Sequence, residues 1–190
     1  MELIGDQIDL AMFKYSKYQY IESKHPKILF EIRDQENNKQ FEVLKVFEFE
    51  SHLQRMSVIV YDVKGSKYYI YTKGAYEVIE KITGKNQNLQ FSNNLLDSLS
   101  LQGLRVLATS YKEIQANQIN YDREKLENDQ LFLGLVGFEN QLKSDTKDII
   151  QELREANIIN KVISGDNILT TIQTSRLATI IDNNFEYNTM

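Results

Sequence analysis

The chain has 190 residues, of which 42% are hydrophobic and 26% are charged, a composition typical of a folded globular protein. The net charge is -5 and no dense basic stretch occurs, which argues against a nucleic-acid partner. There is no cysteine, and His25 and His52 are the only histidines, so disulfides and thiolate metal sites are excluded and a histidine metal cluster is disfavoured. The longest apolar run, LFLGLVGF at 131–138, is much shorter than the roughly 20 residues of a membrane span. We therefore expect a soluble chain that does not insert into a membrane.

The N-terminal segment predicts a helix over about 7–19. Ile8, Met12 and Tyr15 recur at helical spacing, and Asp6 precedes them as a possible N-cap. This helix would be followed directly by strands.

Four runs rich in β-branched and aromatic residues predict consecutive antiparallel strands. These are KILFEIR, FEVLKVFEFE, QRMSVIVYDV and KYYIYTK. Gly65 and Ser66 lie between the third and fourth runs and favour a two-residue hairpin turn. The next two segments, GAYEVIEKI and NNLLDSLSLQG, have helical periodicity, and LRVLATSYK returns to strand character after Gly103.

From about residue 131 the pattern alternates between strand and helix. The segments are FLGLVGF, SDTKDIIQELREAN, NKVISG and NILTTIQTSRLAT. Ser144 is a candidate cap for the first of these helices and Asn157 a candidate end. Parallel sheets are built from such βαβα units. Because two strands rarely form a sheet alone, this second part is predicted to be incomplete.

The fold class follows from these patterns. Residues 1–136 predict an α+β domain, an antiparallel sheet flanked by helices, and residues 137–190 predict the start of an α/β, Rossmann-like domain.

The stretch VISGDNILTT at 162–171 permits two interpretations. Gly165 could make a turn and Asp166 could cap the following helix, as in many α/β units. Alternatively, a strand end beside a helix N-terminus offers N–H donors to a phosphate. The ten residues alone do not decide between them.

Four other residues are candidates that also have ordinary structural explanations. Phe49 could be a core or edge aromatic, Lys73 a solvated loop lysine, and Asp9 part of a solvated helix face. Arg105 lies inside an apolar strand, where an arginine needs a carboxylate or an anion to offset desolvation. Neither the GxxxxGK[ST] nor the GxGxxG nucleotide motif occurs.

Six segments in series resemble the nucleotide-binding domain of P-type ATPases and the adjoining part of their phosphorylation domain, which is haloacid-dehalogenase-like. The segments are GDQIDLAMF, FEFESHLQRMSVIV, YTKGAYEVI, GLRVLATSYKEI, FLGLVGFENQLKSDTKDIIQELREANI and VISGDNILT. The resemblance covers nearly all of the chain, and LQRMSVIV and ENQLKSDTK are most similar to the fifth subclass, which contains polyamine-transporting and orphan cation-transporting pumps.

The resemblance implies residue roles for ATP binding. Phe49 matches the aromatic residue that stacks on adenine, Lys73 the lysine lining that pocket, Asp9 an acidic residue near the adenine edge, and Arg105 the arginine that approaches the phosphates. In the phosphorylation domain, Ser164, Gly165 and Asp166 match the family's Thr-Gly-Asp, which holds the transferred phosphoryl group.

Departures from the family pattern limit the expected chemistry. The DKTGT segment with the phosphorylated aspartate and the later GDGxND segment are absent, so no complete catalytic or metal site is expected. Gln141 and Ser144 replace common prolines. We expect the chain to bind ATP, and phosphoryl transfer with Mg²⁺ to require the intact parent pump. The remaining phosphorylation domain, the actuator domain and the transmembrane domain of that pump would be partners at the cytosolic face of a membrane. The isolated chain is predicted to be inactive. A free-standing nucleotide-sensing or interaction module and a fragment of a haloacid-dehalogenase-like phosphatase are alternatives.

Overall fold

The computed structural model describes residues 5–84, 90–139, 141–165 and 167–182. Seven strands follow one another in a single sheet in chain order, and β1 to β6 pair antiparallel. The strands are β1 Gln19–Glu22, β2 Phe30–Asp34, β3 Lys39–Glu50, β4 Arg55–Asp62, β5 Lys67–Gly74, β6 Arg105–Ile114 and β7 Leu131–Phe138. The predicted antiparallel sheet with flanking helices is confirmed.

Six α-helices and one short 3₁₀ helix, Ala116–Gln118, accompany the sheet in the described ranges. The α-helices are α1 Gln7–Ser16, α2 Tyr76–Ile82, α3 Gln90–Leu101, α4 Arg123–Leu126, α5 Thr146–Glu155 and α6 Ile168–Leu177. The Asp6 carboxylate accepts the Ile8 N–H at 2.9 Å, which confirms the predicted N-cap of α1. This helix ends at Ser16 rather than near residue 19, because β1 begins at Gln19 and pairs with β2. None of the described helices is both long and apolar enough to cross a membrane.

The chain divides into two compact units. The first contains the described residues up to 84 together with Leu107–Gly134, and the second contains those of 89–106 and 135–190. Helix α3 thus belongs to the same unit as the C-terminal helices, and α3 and α6 are in contact. The boundary predicted at residue 136 stays a prediction.

The two faces of the sheet in the first unit differ in character. On one face, Ile59, Ile70, Ile114 and Leu126 form a buried cluster, and Phe47 packs against it. Because side chains alternate along a strand, the neighbours of these core residues point to the opposite face, which is aromatic. It carries Tyr69, Tyr71 and Tyr111, whose ring centroids lie 5.9 to 6.2 Å apart.

The turn between β4 and β5 is longer than predicted. Asp62 pairs with Lys67, so four residues rather than two form the loop. The Asp62 carboxylate accepts the N–H groups of Lys64 and Gly65, at 3.1 Å each, and Ser66 takes the left-handed conformation with φ 53°. An aspartate that caps its own turn in this way stabilises a wider loop.

In the second unit, the two predicted helices are present but the strand between them is not. Residues 158–165 lie outside the helices and strands, and Ile163 is 97% exposed. A strand needs a neighbour for its N–H and C=O groups, and the described residues provide none for this segment. The predicted Rossmann-like piece is therefore not confirmed.

The ends of these helices test three predictions. Asn157 adopts the left-handed conformation with φ 60° after α5, as predicted for its end. At the other end the N-cap residue is Asp145 rather than Ser144. Helix α6 is capped by Asn167, whose side chain accepts the Leu169 N–H at 2.9 Å, rather than by Asp166.

Candidate nucleotide site

Lys73 and Asp9 meet at one end of the sheet. Lys73 lies in β5 and Asp9 in the first turn of α1, and the lysine Nζ forms an ion pair with Asp9 Oδ1. The Sδ atom of Met12, on the same helix, is 3.7 Å from Nζ. The structure therefore brings together two of the residues selected from the sequence, although they are far apart along the chain.

The environment of Lys73 is partly apolar. Burial lowers the pKa of Lys73, and the carboxylate of Asp6 opposes this by favouring the charged form. The Lys73 side chain is thus mostly covered, and its Nζ is paired with the partly exposed carboxylate of Asp9.

Phe49 lies in an irregular stretch near the end of β3. Phe47 pairs with Ser57 and Glu50 pairs with Arg55, so three steps along β3 correspond to two steps along β4. This geometry is a β-bulge, which re-aims side chains and interrupts the ladder. The Phe49 side chain is 58% exposed, so it is not a core aromatic.

The sheet register relates Phe49 to Lys73. Arg55, the partner of Glu50, also pairs with Gly74, and Met56 pairs with Lys73. Phe49 and Lys73 therefore lie at the same end of the sheet, two strands apart, which corresponds to about 10 Å between the strand backbones.

Gly74 permits a close approach between the end of β5 and the β3–β4 turn. A Cβ at Gly74 would lie 2.5 Å from the carbonyl oxygen of Gln54 and 2.8 Å from the Cβ of Arg55. The same Gln54 oxygen accepts the Ala75 N–H at 3.1 Å. The Lys-Gly-Ala segment thus contacts the β3–β4 turn next to Phe49, and any side chain at Gly74 would push the two apart.

A buried ionic cluster, formed by Arg55, Arg123 and Glu127, lies under this turn. The Glu127 side chain is 0% exposed, and it accepts from Arg55 Nε at 2.5 Å and from Arg123 Nε at 2.7 Å. Ser57 Oγ donates to the same carboxylate. Two positive charges and a hydroxyl therefore compensate a carboxylate that has no access to water.

The cluster continues into the sheet through uncharged groups. Ser57 Oγ and Thr72 Oγ1 are 2.8 Å apart, Gln130 Nε2 donates to Thr72 Oγ1 at 2.9 Å, and Ser110 Oγ donates to Gln130 Oε1 at 2.6 Å. These hydrogen bonds cross β4, β5 and β6. Sequence reasoning missed the whole network, although Arg123 and Glu127 stand at the i, i+4 spacing of a helical ion pair.

The remaining predicted site residues belong to the second unit. Arg105 is the first residue of β6 and is exposed, so the desolvation argument made for it from the sequence is wrong. Ser164 and Gly165 are also exposed, and a Cβ at Gly165 would have no atom within 4 Å. Asp166 lies outside the described residues.

Within the described ranges, no group of three or more histidine, cysteine, aspartate and glutamate side chains is placed to hold a metal ion. Three acidic side chains at this end of the sheet form ion pairs instead: Asp9 with Lys73, Glu127 with Arg55, and Glu50 with Arg123.

Comparison with known proteins identifies relatives over most of the chain. Residues 1–145 match the family model described as the P-type ATPase cytoplasmic domain N. The vacuolar cation-transporting ATPase YPK9 of Saccharomyces cerevisiae is 30% identical over 94% of this chain and 15% of its own length. The probable cation-transporting ATPase 13A4 of Gallus gallus is 38% identical over 73% of the chain and 12% of its own length. The human polyamine-transporting ATPase 13A3 is 31% identical over 70% of the chain and 11% of its own length. The chain thus spans a small part of the length of each of these relatives.

Proposed function

Because the chain belongs to the P-type ATPases, with the cation- and polyamine-transporting pumps of their fifth subclass, we propose that it is the part of such a pump that binds ATP. In this proposal the adenine ring stacks on Phe49 and its edge is held by Lys73 and Asp9. The observation that carries it is the exposed ring of Phe49 at the sheet end where the Lys73–Asp9 pair lies.

The chemistry of these three side chains suits a purine. An exposed phenylalanine ring offers a flat apolar face, and base stacking on such a face contributes about 1–3 kcal/mol. Adenine carries ring nitrogens that accept hydrogen bonds and an exocyclic amine that donates them. An ammonium group donates and a carboxylate accepts, so the Lys73–Asp9 pair offers both kinds of partner.

The resemblance also assigns residues to the phosphate end of the nucleotide. We assign to Arg105 a contact with the ATP phosphates, since its guanidinium is exposed and suits anionic oxygens. Ser164, Gly165 and Asp166 would hold the phosphoryl group once the phosphorylation domain is complete. In the parent pump, ATP would present its γ-phosphate to an aspartate in a DKTGT segment, which this chain lacks.

The family's Mg²⁺ does not fit the residues present here. The described residues contain no cluster of acidic side chains able to hold an ion, and the family's GDGxND segment is absent from the sequence. We therefore assign no step to magnesium in this chain. The actuator domain, the transmembrane domain and the rest of the phosphorylation domain are the proposed partners, at the cytosolic face of a membrane.

Calorimetric titration of the chain with ATP and with adenosine tests the proposal. Loss of a stacking contact of about 1–3 kcal/mol in Phe49→Ala should weaken both ligands roughly 5- to 150-fold. The matched control is Tyr15→Ala, which removes another exposed aromatic ring, 91% exposed at the far end of α1, and should leave both affinities unchanged.

Arg105→Gln is the second variant to titrate. It should weaken the binding of ATP more than that of adenosine, because adenosine has no phosphates. Absence of ATP binding by the unmodified chain would refute the proposal. A Phe49→Ala variant that binds ATP normally below its melting transition would refute the stacking role.

A further inference from the structure

The bulge that carries Phe49 is held by one side chain from elsewhere in the sequence. Arg123 Nη1 donates to the carbonyl oxygen of Glu48 at 3.0 Å and to Glu50 Oε1 at 2.9 Å. These are the residues immediately before and after Phe49. Its Nη2 donates to the carbonyl oxygen of Arg55, the β4 partner of Glu50, at 2.6 Å. One guanidinium therefore fixes both sides of the bulge.

The guanidinium is itself held in place by Glu127 and Phe47. Its Nε donates to the fully buried carboxylate of Glu127, and its Cζ lies over the Phe47 ring, 5.9 Å from the ring centroid. Glu127 is tied in turn to Arg55 and Ser57 of β4. A planar guanidinium has several donors in a fixed fork, so it can satisfy these partners together, whereas a lysine ammonium cannot.

We propose that Arg123 is a positioning residue for Phe49, holding the bulge in the conformation in which the ring can stack on adenine. The inference rests on the proposed ATP-binding function. Arg123 holds the bulge through its contacts with Glu48, Glu50 and Arg55 and does not touch the nucleotide. The ladder hydrogen bonds of β3 are interrupted at this point, so the bulge depends on these contacts for its order.

A double-mutant cycle tests this role. Arg123→Lys keeps the charge and should lower the affinities for ATP and adenosine equally, by about threefold or more. The loss should not exceed the loss caused by Phe49→Ala. In the Phe49→Ala background the same substitution should leave the remaining affinity unchanged. A purely structural role would lower the melting temperature in both backgrounds without this dependence on Phe49.

Glu50→Gln is the second variant, in case Arg123→Lys does not fold. Glu50 is half exposed, so the substitution removes the negative charge paired with Arg123 with little effect on folding. It should weaken ATP binding in the same Phe49-dependent way. The matched control is Glu113→Gln, which breaks an exposed ion pair with Lys67, 2.8 Å long, at the opposite end of the sheet. It should leave ATP affinity unchanged.

The possible outcomes separate the two hypotheses. If the unmodified chain binds ATP and Phe49→Ala weakens it, but Arg123→Lys and Glu50→Gln bind normally, the positioning role is refuted and the binding function stands. Equal losses with and without the Phe49 ring also refute it, because Arg123 would then act on the nucleotide directly. If the unmodified chain does not bind ATP, both proposals fail.

Discussion

The buried carboxylate of Glu127 provides the sharpest test of what stabilises the first unit. Glu127→Gln keeps the shape of the side chain but replaces a carboxylate that accepts from Arg55, Arg123 and Ser57. An amide has one acceptor oxygen, and its NH₂ group would face donors. The substitution also leaves two mostly buried guanidinium groups without their shared counter-charge.

Removing one member of a buried ion cluster typically costs about 3–5 kcal/mol, because the remaining charges are left uncompensated. For a chain of this size, about 1 kcal/mol lowers the melting temperature by roughly 2–4 °C, so we expect a fall of roughly 6–20 °C. Thermal and urea unfolding followed by circular dichroism would measure it.

The matched control is again Glu113→Gln, where both partners of the ion pair are about half exposed and water replaces the lost contact. Its melting temperature should barely change. If Glu127→Gln melts as the control does, the two arginines have other adequate partners, and the reasoning from burial is wrong.

Two further predictions concern the sheet. Gly74→Ala should lower the free energy of unfolding by about 1–3 kcal/mol in urea unfolding, since the new Cβ would lie 2.5 Å from the Gln54 oxygen, and a neutral substitution would contradict the packing described. Burial, reinforced by Tyr69 and Tyr111, raises the pKa of Tyr71 to about 12 from an ordinary value of 10.0. The associated stability is fully present below pH 10.0 and is lost as the pH rises towards about 12. In a spectroscopic titration of tyrosinate, the difference between the unmodified chain and Tyr71→Phe should therefore appear near the upper value, and a step at the lower value would contradict this.

The sequence predicted the sheet well where side chains alternate. Strands β3, β4 and β5 were located almost to the residue, because β-branched and aromatic residues recur along each of them. The short strand β1 was missed since it has four residues and follows directly after a helix. The segment 158–165 shows the opposite error, because its apolar residues predict a strand but the described chain supplies no partner strand.

The candidate site could be predicted only in part. The resemblance selected Lys73 and Asp9, and the structure brings them into contact. The resemblance gave no indication of Arg123, because an arginine in a short polar helix is ordinarily a solvated residue. Its burial depends on two carbonyl groups and one carboxylate from distant strands. Local patterns do not contain such long-range contacts.

The tyrosine cluster on the face of the sheet opposite the buried core provides an intrinsic spectroscopic probe. The chain has no tryptophan, so its near-ultraviolet signals come mainly from tyrosine. Tyr71 and Tyr111 are stacked with an interplanar angle of 20°, and Tyr71 stands two residues before Lys73 on the same face of β5. Coupled rings in a fixed arrangement give circular dichroism that a disordered tyrosine does not. A change in the packing of the tyrosines beside Lys73 should therefore alter the near-ultraviolet circular dichroism of the chain, and no added label is needed to detect it.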